Sequence, residues 1–317
     1  MLPADKHELL ARVATLYYEE ELTQNQIADR LGLSRVKVYR LLNEAKATGV
    51  VRIIIDKPVR RNTELEEELV HRFGLRQALV AQTAGLTSTQ ALQQVGQLGA
   101  RYLEEILKDG DTIAVCLGRS TYEVVKAIRP GCRSGVRVAQ AVGSIPFAMP
   151  ELDSSAVAHQ LAQKLGGEVM ILPSPYMADS PDAAEVMRAQ SDIERTLAAA
   201  RQADVALVGI GNLDPATSRF LAGGSMSADE LAALASAGAV GDIAGRIYTL
   251  DGQLHENEYN RRVIGITLAE LERIPTTIAA AAGNDKSRAI LGALRTGVID
   301  VLCTDDGAAR GIIALAA

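Results

Sequence analysis

The chain has little of what would make it a metalloprotein, a disulfide scaffold or a membrane protein. Its three cysteines, Cys116, Cys132 and Cys303, are odd in number and scattered, without the short spacing of a metal knuckle or a redox motif. They read as reduced thiols. Its four histidines, His7, His71, His159 and His255, lie far apart in sequence, so no metal and no cofactor are expected. No run approaches the ~18 apolar residues of a membrane helix. The opening Met1-Leu2-Pro3-Ala4-Asp5 has no basic region followed by an apolar one, which points to the cytoplasm. There is no internal repeat and no low-complexity tract.

With 317 residues, 48% hydrophobic and 23% charged, the chain has room for one small and one large globular domain. Charge is unevenly shared between them. Residues 1–62 carry 11 Lys and Arg against 8 Asp and Glu, a net of +3, and the other 255 carry 22 against 31, a net of −9. A body at −9 repels phosphate, so any contact with DNA falls to the basic head.

The head contains LTQNQIADRLGLSRVKVYRLL, residues 22–42, which meets the requirements of a helix-turn-helix at fixed offsets. Thr23 can cap a short helix whose Ile27 and Leu31 share one face, with Ala28 small enough for a second helix to cross closely. Gly32 makes the turn, Leu33 plugs the corner and Ser34 caps the next helix. Val38, Leu41 and Leu42 return its apolar side to the core, leaving Arg35, Lys37, Tyr39, Arg40 and Asn43 outside. An amphipathic helix from about Lys6 to Tyr18 precedes the motif, and Thr48-Gly49 leads into the β-branched run Val50–Ile55. That order is a winged helix. Arg35, Arg40 and Asn43 are the candidates for base edges, because Arg suits guanine and Asn suits adenine in the major groove. Thr23, Gln24, Ser34, Lys37, Tyr39 and Arg52 complete the candidate DNA-binding set, with Ser34, Lys37, Tyr39 and Arg52 read as phosphate or sugar contacts. An ordinary helical hairpin with a solvated basic face is the alternative.

The polar DKPVRRN at residues 56–62 suits a linker. It divides the chain into a head, 1–56, a linker and helix, 57–74, and an effector domain, 75–317. Asn62–Phe73 reads as a capped helix closed by Gly74, with Leu65, Leu69 and Phe73 on one stripe that either packs on its own domain or pairs two chains. Strands are expected near Ala78–Ala81, Thr112–Leu117, Val136–Val142, Val169–Leu172, Val205–Ile210, Thr276–Ala281 and Val301–Cys303. Helices are expected over Ser88–Leu107, Thr121–Ile128, Ser154–Leu165, Ala183–Ala200, Lys286–Arg295 and Gly307–Leu315. Such near-continuous apolar strands belong to a buried parallel sheet, hence a doubly wound, Rossmann-like α/β domain.

Open α/β sheets bind ligands at the carboxyl ends of their strands, and small polar residues gather at several of those ends here. One strand runs into Gly118-Arg119-Ser120-Thr121 at the start of a helix, where backbone N–H groups, two hydroxyls and a guanidinium could converge on an anion, phosphate above all. Another runs into Gly283-Asn284-Asp285-Lys286, a second helix start with an ammonium. Gln140 and Gly143, Gly211, and Asp242 mark three further strand ends, Asp242 as an acceptor for sugar hydroxyls. Tight strand-to-helix turns favour the same residues for backbone reasons alone, and a helix-capping Asp looks identical in sequence.

The motifs YYEEELTQNQIADRLGLSRVKVYRLLNEAKATGVVRI, LGRSTYEVV, ADVALVGIG, GAVGDI, AAGNDKSRAI and VLCTDDGAA run from one end of the chain to the other. Together they resemble the SorC/DeoR-type sugar-binding bacterial transcription regulators. The resemblance implies an effector domain similar in fold to ribose-5-phosphate isomerase and glucosamine-6-phosphate deaminase that binds a phosphorylated sugar without turning it over. It implies a homodimer or homotetramer on palindromic operator DNA. It also implies that the loop matching Gly118–Thr121 and the lysine matching Lys286 hold the effector phosphate, while the aspartate matching Asp242 meets sugar hydroxyls. Ala282-Gly283 stands where relatives often have two glycines, so the backbone approaches a ligand less closely there. No lysine occurs between Val138 and Ser144, so binding is expected to be noncovalent.

The resulting expectation is a ligand-responsive regulator, a repressor, in which a phosphosugar shifts the placement of paired heads. Two alternatives stand beside it. One is the same regulator answering to an unphosphorylated sugar or polyol. The other is a sugar-phosphate isomerase or deaminase, with Asp242, Asp285, Asp305 or Asp306 as its acid or base.

Overall fold

The computed structural model describes residues 4–51, 58–145 and 150–317. The chain forms two compact units, Met1–Pro58 and Val59–Ala317. In the first, helices Ala4–Tyr18, Gln24–Leu31 and Arg35–Ala47 surround a core of Leu10, Val13, Leu16, Ile27, Val38, Leu41, Leu42 and Ala45. Local chemistry sets the helix ends. Thr23 Oγ1 accepts from Gln26 N while Gln26 Oε1 accepts from Thr23 N at 2.9 Å, a reciprocal capping box. Gly32, at φ +65°, takes the left-handed conformation that ends that helix, and Ser34 caps the next by accepting from Lys37 N at 3.2 Å. Val50 and Val51 pack on the core. The rest of the expected wing, Arg52 included, lies outside the described residues.

The second unit is built on a sheet of β1 (Gln77–Ala81), β2 (Thr112–Val115), β3 (Arg137–Gln140), β4 (Glu168–Met170), β5 (Val205–Asn212), β6 (Ala239–Ile243), β7 (Arg246–Thr249), β8 (Thr276–Ala280) and β9 (Val301–Asp305). Seven strands run parallel in the order β1-β9-β8-β5-β2-β3-β4. Strand residues alternate between two cores. Leu79, Ile113, Val115, Leu207 and Ile278 pack under helices Ser88–Ile106, Arg119–Ala127 and Ser154–Lys164, while Val80, Ala114, Ala206, Val208 and Ala279 face Ser191–Arg201, Ser287–Arg295 and Asp306–Leu315. Burial on both faces is why these strands are apolar throughout. The stripe on helix Thr63–Phe73 packs into its own unit, with Leu65 and Leu69 buried there and Phe73 partly so.

Two expectations are corrected. The single helix over Ala183–Ala200 is two, Pro181–Arg188 and Ser191–Arg201, broken at an extended Gln190. The first packs on Glu258–Arg262 and the second on β2 and β3, so one straight helix does not serve both. Gly238–Asp242 is not a parallel-strand end but the first strand of an antiparallel hairpin, β6 with β7, whose β6 pairs with the far end of β5.

Candidate functional site

Among the described residues of the first unit, helix Arg35–Ala47 turns one face inward and presents Arg35, Val36, Lys37, Tyr39, Arg40 and Asn43 to solvent, with Val36 60% and Tyr39 55% exposed. An exposed valine and tyrosine flanked by four polar or basic side chains is a poor solvent face and a fitting groove-reading face, since apolar groups can meet thymine methyls. Val36 was missed in the sequence reading because a β-branched residue reads as core. Thr23, Gln24 and Arg35 line a neighbouring cleft of about 550 Å³ with Tyr17 and Asn25. Thr23 and Ser34 are also capping residues, which accounts for them without DNA.

In the second unit, β8, β5 and β2 are neighbours at the middle of the sheet. From β2 the chain steps outward to β3 and β4, then returns to β5 on the other side of β2, which makes a topological switch point between β2 and β5. The loop after β2, the end of β5 and the loop after β8 therefore rise together. Gly118, at φ +139°, starts helix Arg119–Ala127 with no side-chain cap on its first-turn donors, and Thr121 Oγ1 donates to Gly118 O at 2.8 Å. Ser120 and Thr121 are buried, and Arg119 is exposed. Lys286 Nζ reaches across to donate to Ile210 O on β5 at 2.8 Å. Gly283 and Asn284 lie in the same loop, tied to β5 through Asn212 Nδ2 donating to Asp285 Oδ2 at 3.2 Å.

Asp242 comes to this place from the hairpin. In the β5–β6 pairing it stands opposite Gly211, and a Cβ on Gly211 would meet its Oδ1 at 1.9 Å, so only glycine leaves room for the carboxylate. Asp242 is 3% exposed and accepts from Gly245 N at 3.2 Å. Burial raises its pKa, and Arg219, the Gly245 N–H and Lys286 pull it back. Lys286 is the counterpart: burial and then Arg219 lower it from 10.5 to about 8, against the opposing pull of Asp242 and Asp285.

Gln140 and Gly143 do not join this group. The Gln140 amide is spent within the protein, donating to Val142 O, Ser154 Oγ and Ser144 Oγ and accepting from Leu172 N. Gly143 has the backbone of Pro175 against it, where a Cβ would lie 2.1 Å from the carbonyl oxygen. Both shape the loop after β3.

Sequence reading missed Arg219, which comes from the segment after β5. Its Nη1 lies 3.0 Å from where a Cβ on Gly118 would stand, and that nitrogen is buried without a hydrogen-bond partner. Tyr176, Tyr259 and Phe220 form an aromatic cluster beside Asp242, with Phe220 and Tyr259 edge-to-face at 5.2 Å and the Tyr176 hydroxyl against Gly245. No local pattern announces any of them. Clefts of about 630 and 390 Å³ open along Pro181, Asn260 and Arg261, and no predicted ligand residue lines either one. The described residues include no cluster of His, Cys, Asp and Glu able to hold a metal. Cys116 and Cys303 are buried, which pushes both thiols up to about 12.

A buried aspartate with a partly buried lysine and arginine beside a strand switch point is an arrangement that can take a small polar ligand. The chain belongs to the Sugar-bind family ("Putative sugar-binding domain"), whose model matches residues 57–314. It is 35% identical to the transcriptional regulator LsrR of Klebsiella pneumoniae over 317 residues, 98% of this chain and 94% of that protein. It is 30% identical to the deoxyribonucleoside regulator of Bacillus subtilis, over 98% of each. The full-length crystal structure of the sorbitol operon regulator SorC of K. pneumoniae matches with a TM-score of 0.72 at 29% identity, covering 98% of this chain and all of that one. These relatives are transcriptional regulators with a sugar-binding domain, and the chain is not an enzyme. The isomerase or deaminase alternative falls with that. No helix among the described residues is long and apolar enough to cross a membrane.

Proposed function

We propose that the protein is a cytoplasmic, homo-oligomeric repressor that binds palindromic operator DNA through a winged helix-turn-helix in its first unit and is released by a phosphorylated sugar bound in its second. One observation carries the ligand half: the uncapped helix start at Gly118 and the Lys286 ammonium follow β2 and β8, the strands on either side of β5, and the buried Asp242 on β6 pairs with the end of β5 between them. The helix start and the ammonium suit a phosphate, and Asp242 suits sugar hydroxyls. An isomerase-like fold for this unit would put a phosphosugar in the same crevice. The exposed Arg35, Val36, Tyr39, Arg40 and Asn43 supply the DNA half. Coupling of about 1–3 kcal/mol between the sites is enough for regulation.

Thermal unfolding against matched sugars, polyols and their phosphate esters tests the assignment. A ligand at 100 times its Kd adds about 2.7 kcal/mol, so the expected result is a shift with an ester and none with its parent. The same ester should then weaken binding to operator DNA; tighter binding would make the protein an activator. A second reading, an unphosphorylated polyol, draws on the Lys286 ammonium being already engaged by Ile210 O and on one relative being named for sorbitol. A shift with the polyol alone would establish it.

A further inference from the structure

We propose that Arg219 is the residue that selects an anionic effector: its guanidinium closes over the helix start at Gly118 and, together with Lys286, holds the phosphate group. The inference rests on the ligand site proposed above and adds to it a residue outside the motifs that mark that site in the sequence.

Other wholly or partly buried arginines described in this unit are tied to the chain: Arg188 Nη2 donates to Arg261 O and Val263 O, and Arg201 pairs with Glu194 and Glu270, although Arg188 Nε, like Arg219 Nη1, has no hydrogen-bond partner. Arg246, 5% exposed, donates from Nε, Nη1 and Nη2 to the carbonyl oxygens of Ile266, Asn260, Val263 and Gly265, and so holds the segment after β7. Arg133 likewise donates to the carbonyls of Leu107, Cys132 and Glu104. Arg219 Nη1 has no such partner, although it is buried, and neither has the buried hydroxyl of its neighbour Ser218. A guanidinium nitrogen withdrawn from water and left unbonded is costly unless something outside the chain is meant to meet it.

Its position says what that something is. The guanidinium packs directly over the backbone of Gly118, an approach that the lack of a side chain there permits; a Cβ would stand 3.0 Å from Nη1. The first-turn N–H groups of helix Arg119–Ala127 carry no side-chain cap. Donors of the helix start and of the guanidinium thus belong to one small volume. The surrounding charge is unbalanced in the same direction. Arg219 and Arg119 both disfavour the charged form of Lys286, and three cations gather near the buried Asp242 and the more exposed Asp285. An anionic phosphate answers that excess of positive charge, whereas a neutral polyol leaves the guanidinium unanswered.

The test compares the full-length chain with R219M and R219K, using inorganic phosphate, ribose 5-phosphate and glucose 6-phosphate as probes, ribose and glucose as their parents, and chloride at matched ionic strength. Calorimetry reads affinity, and thermal unfolding without ligand reads the fold. The expected result is ten- to hundredfold weaker binding of phosphate and of the effective ester by R219M, with R219K between it and the parent chain. Without ligand, R219M should melt no lower than the parent chain, because the lost nitrogen has no partner. Unchanged phosphate affinity in R219M overturns the role of Arg219 and leaves the phosphosugar reading standing. A parent chain that ignores phosphate and both esters but responds to an unphosphorylated compound overturns both. A lower melting temperature in R219M, with phosphate and parent sugars lost equally, would mark the side chain as structural.

Discussion

Raising the pH through 8 should weaken the effector and stabilise the empty protein at the same time, because both effects come from one proton on Lys286. Burial holds its ammonium at a pKa of about 8, against 10.5 when unfolded. In the charged form that depression, at about 1.4 kcal/mol per tenfold, costs the fold roughly 3 kcal/mol at pH 7. Between pH 8 and 10.5 the unfolded chain binds more protons than the folded one, so this group's contribution to stability rises with pH across that window. An anionic effector responds with the opposite sign. It needs the ammonium, and at pH 9 only about a tenth of the protein keeps it, so affinity should fall about tenfold from its value at pH 7, or about 1.4 kcal/mol. The ester's own second ionisation, near pH 6, is complete above 7 and leaves the slope to the protein.

Thermal unfolding at pH 7, 8 and 9, with and without the effective ester and at constant ionic strength, reads both slopes in one series. K286M should flatten both. The variant removes the donor to Ile210 O as well as the charge, yet the relief of desolvation should leave it at least as stable as the parent chain at pH 7. Effector affinity equal at pH 7 and pH 9 in the parent chain would refute the reasoning. So would a slope that survives in K286M.

Three further outcomes are expected. G211A drives a Cβ into Asp242 Oδ1 and should cost about 1–3 kcal/mol in urea unfolding and at least tenfold in effector affinity; normal affinity would take Asp242 out of the site. R40A and N43A, both on the exposed face of their helix, should each weaken operator binding by about 1–3 kcal/mol in a fluorescence anisotropy titration, with effector affinity and melting temperature unchanged. T23A loses the capping box and should destabilise the first unit by about 0.5–2 kcal/mol, seen as faster amide exchange in helix Gln24–Leu31 and no change in the second unit.

What was legible in the sequence was what local chemistry decides. Thr23, Gly32 and Ser34 announce their helix ends by residue type, and strands buried on both faces announce themselves as short β-branched runs. The loops at Gly118 and Lys286 could be placed because each follows such a run directly. The hairpin β6–β7 was not legible as strands, since Gly238, Gly241 and Gly245 break the run and read as loop. Its pairing with β5 depends on Gly211 and Asp242 meeting across 31 positions of sequence, a register set by packing and not by propensity. The break at Gln190 carries neither Gly nor Pro; two different packing partners impose it.

Arg219 was hidden for a related reason. It sits in a four-residue helix, Arg219–Ala222, after a stretch of turns, where an arginine reads as one more solvated charge. Only the folded chain sets that guanidinium against the glycine of a loop 101 positions earlier and leaves its buried Nη1 without a hydrogen-bond partner. The residues that made the site recognisable in sequence, Gly118, Asp242 and Lys286, stand within motifs that run the length of the chain. The residue that would set its preference for charge does not. A site framed by backbone and glycine can keep its fold while a single cation changes what it answers to, which is why the Arg219 and Lys286 variants separate the ligand's charge from the ligand's presence.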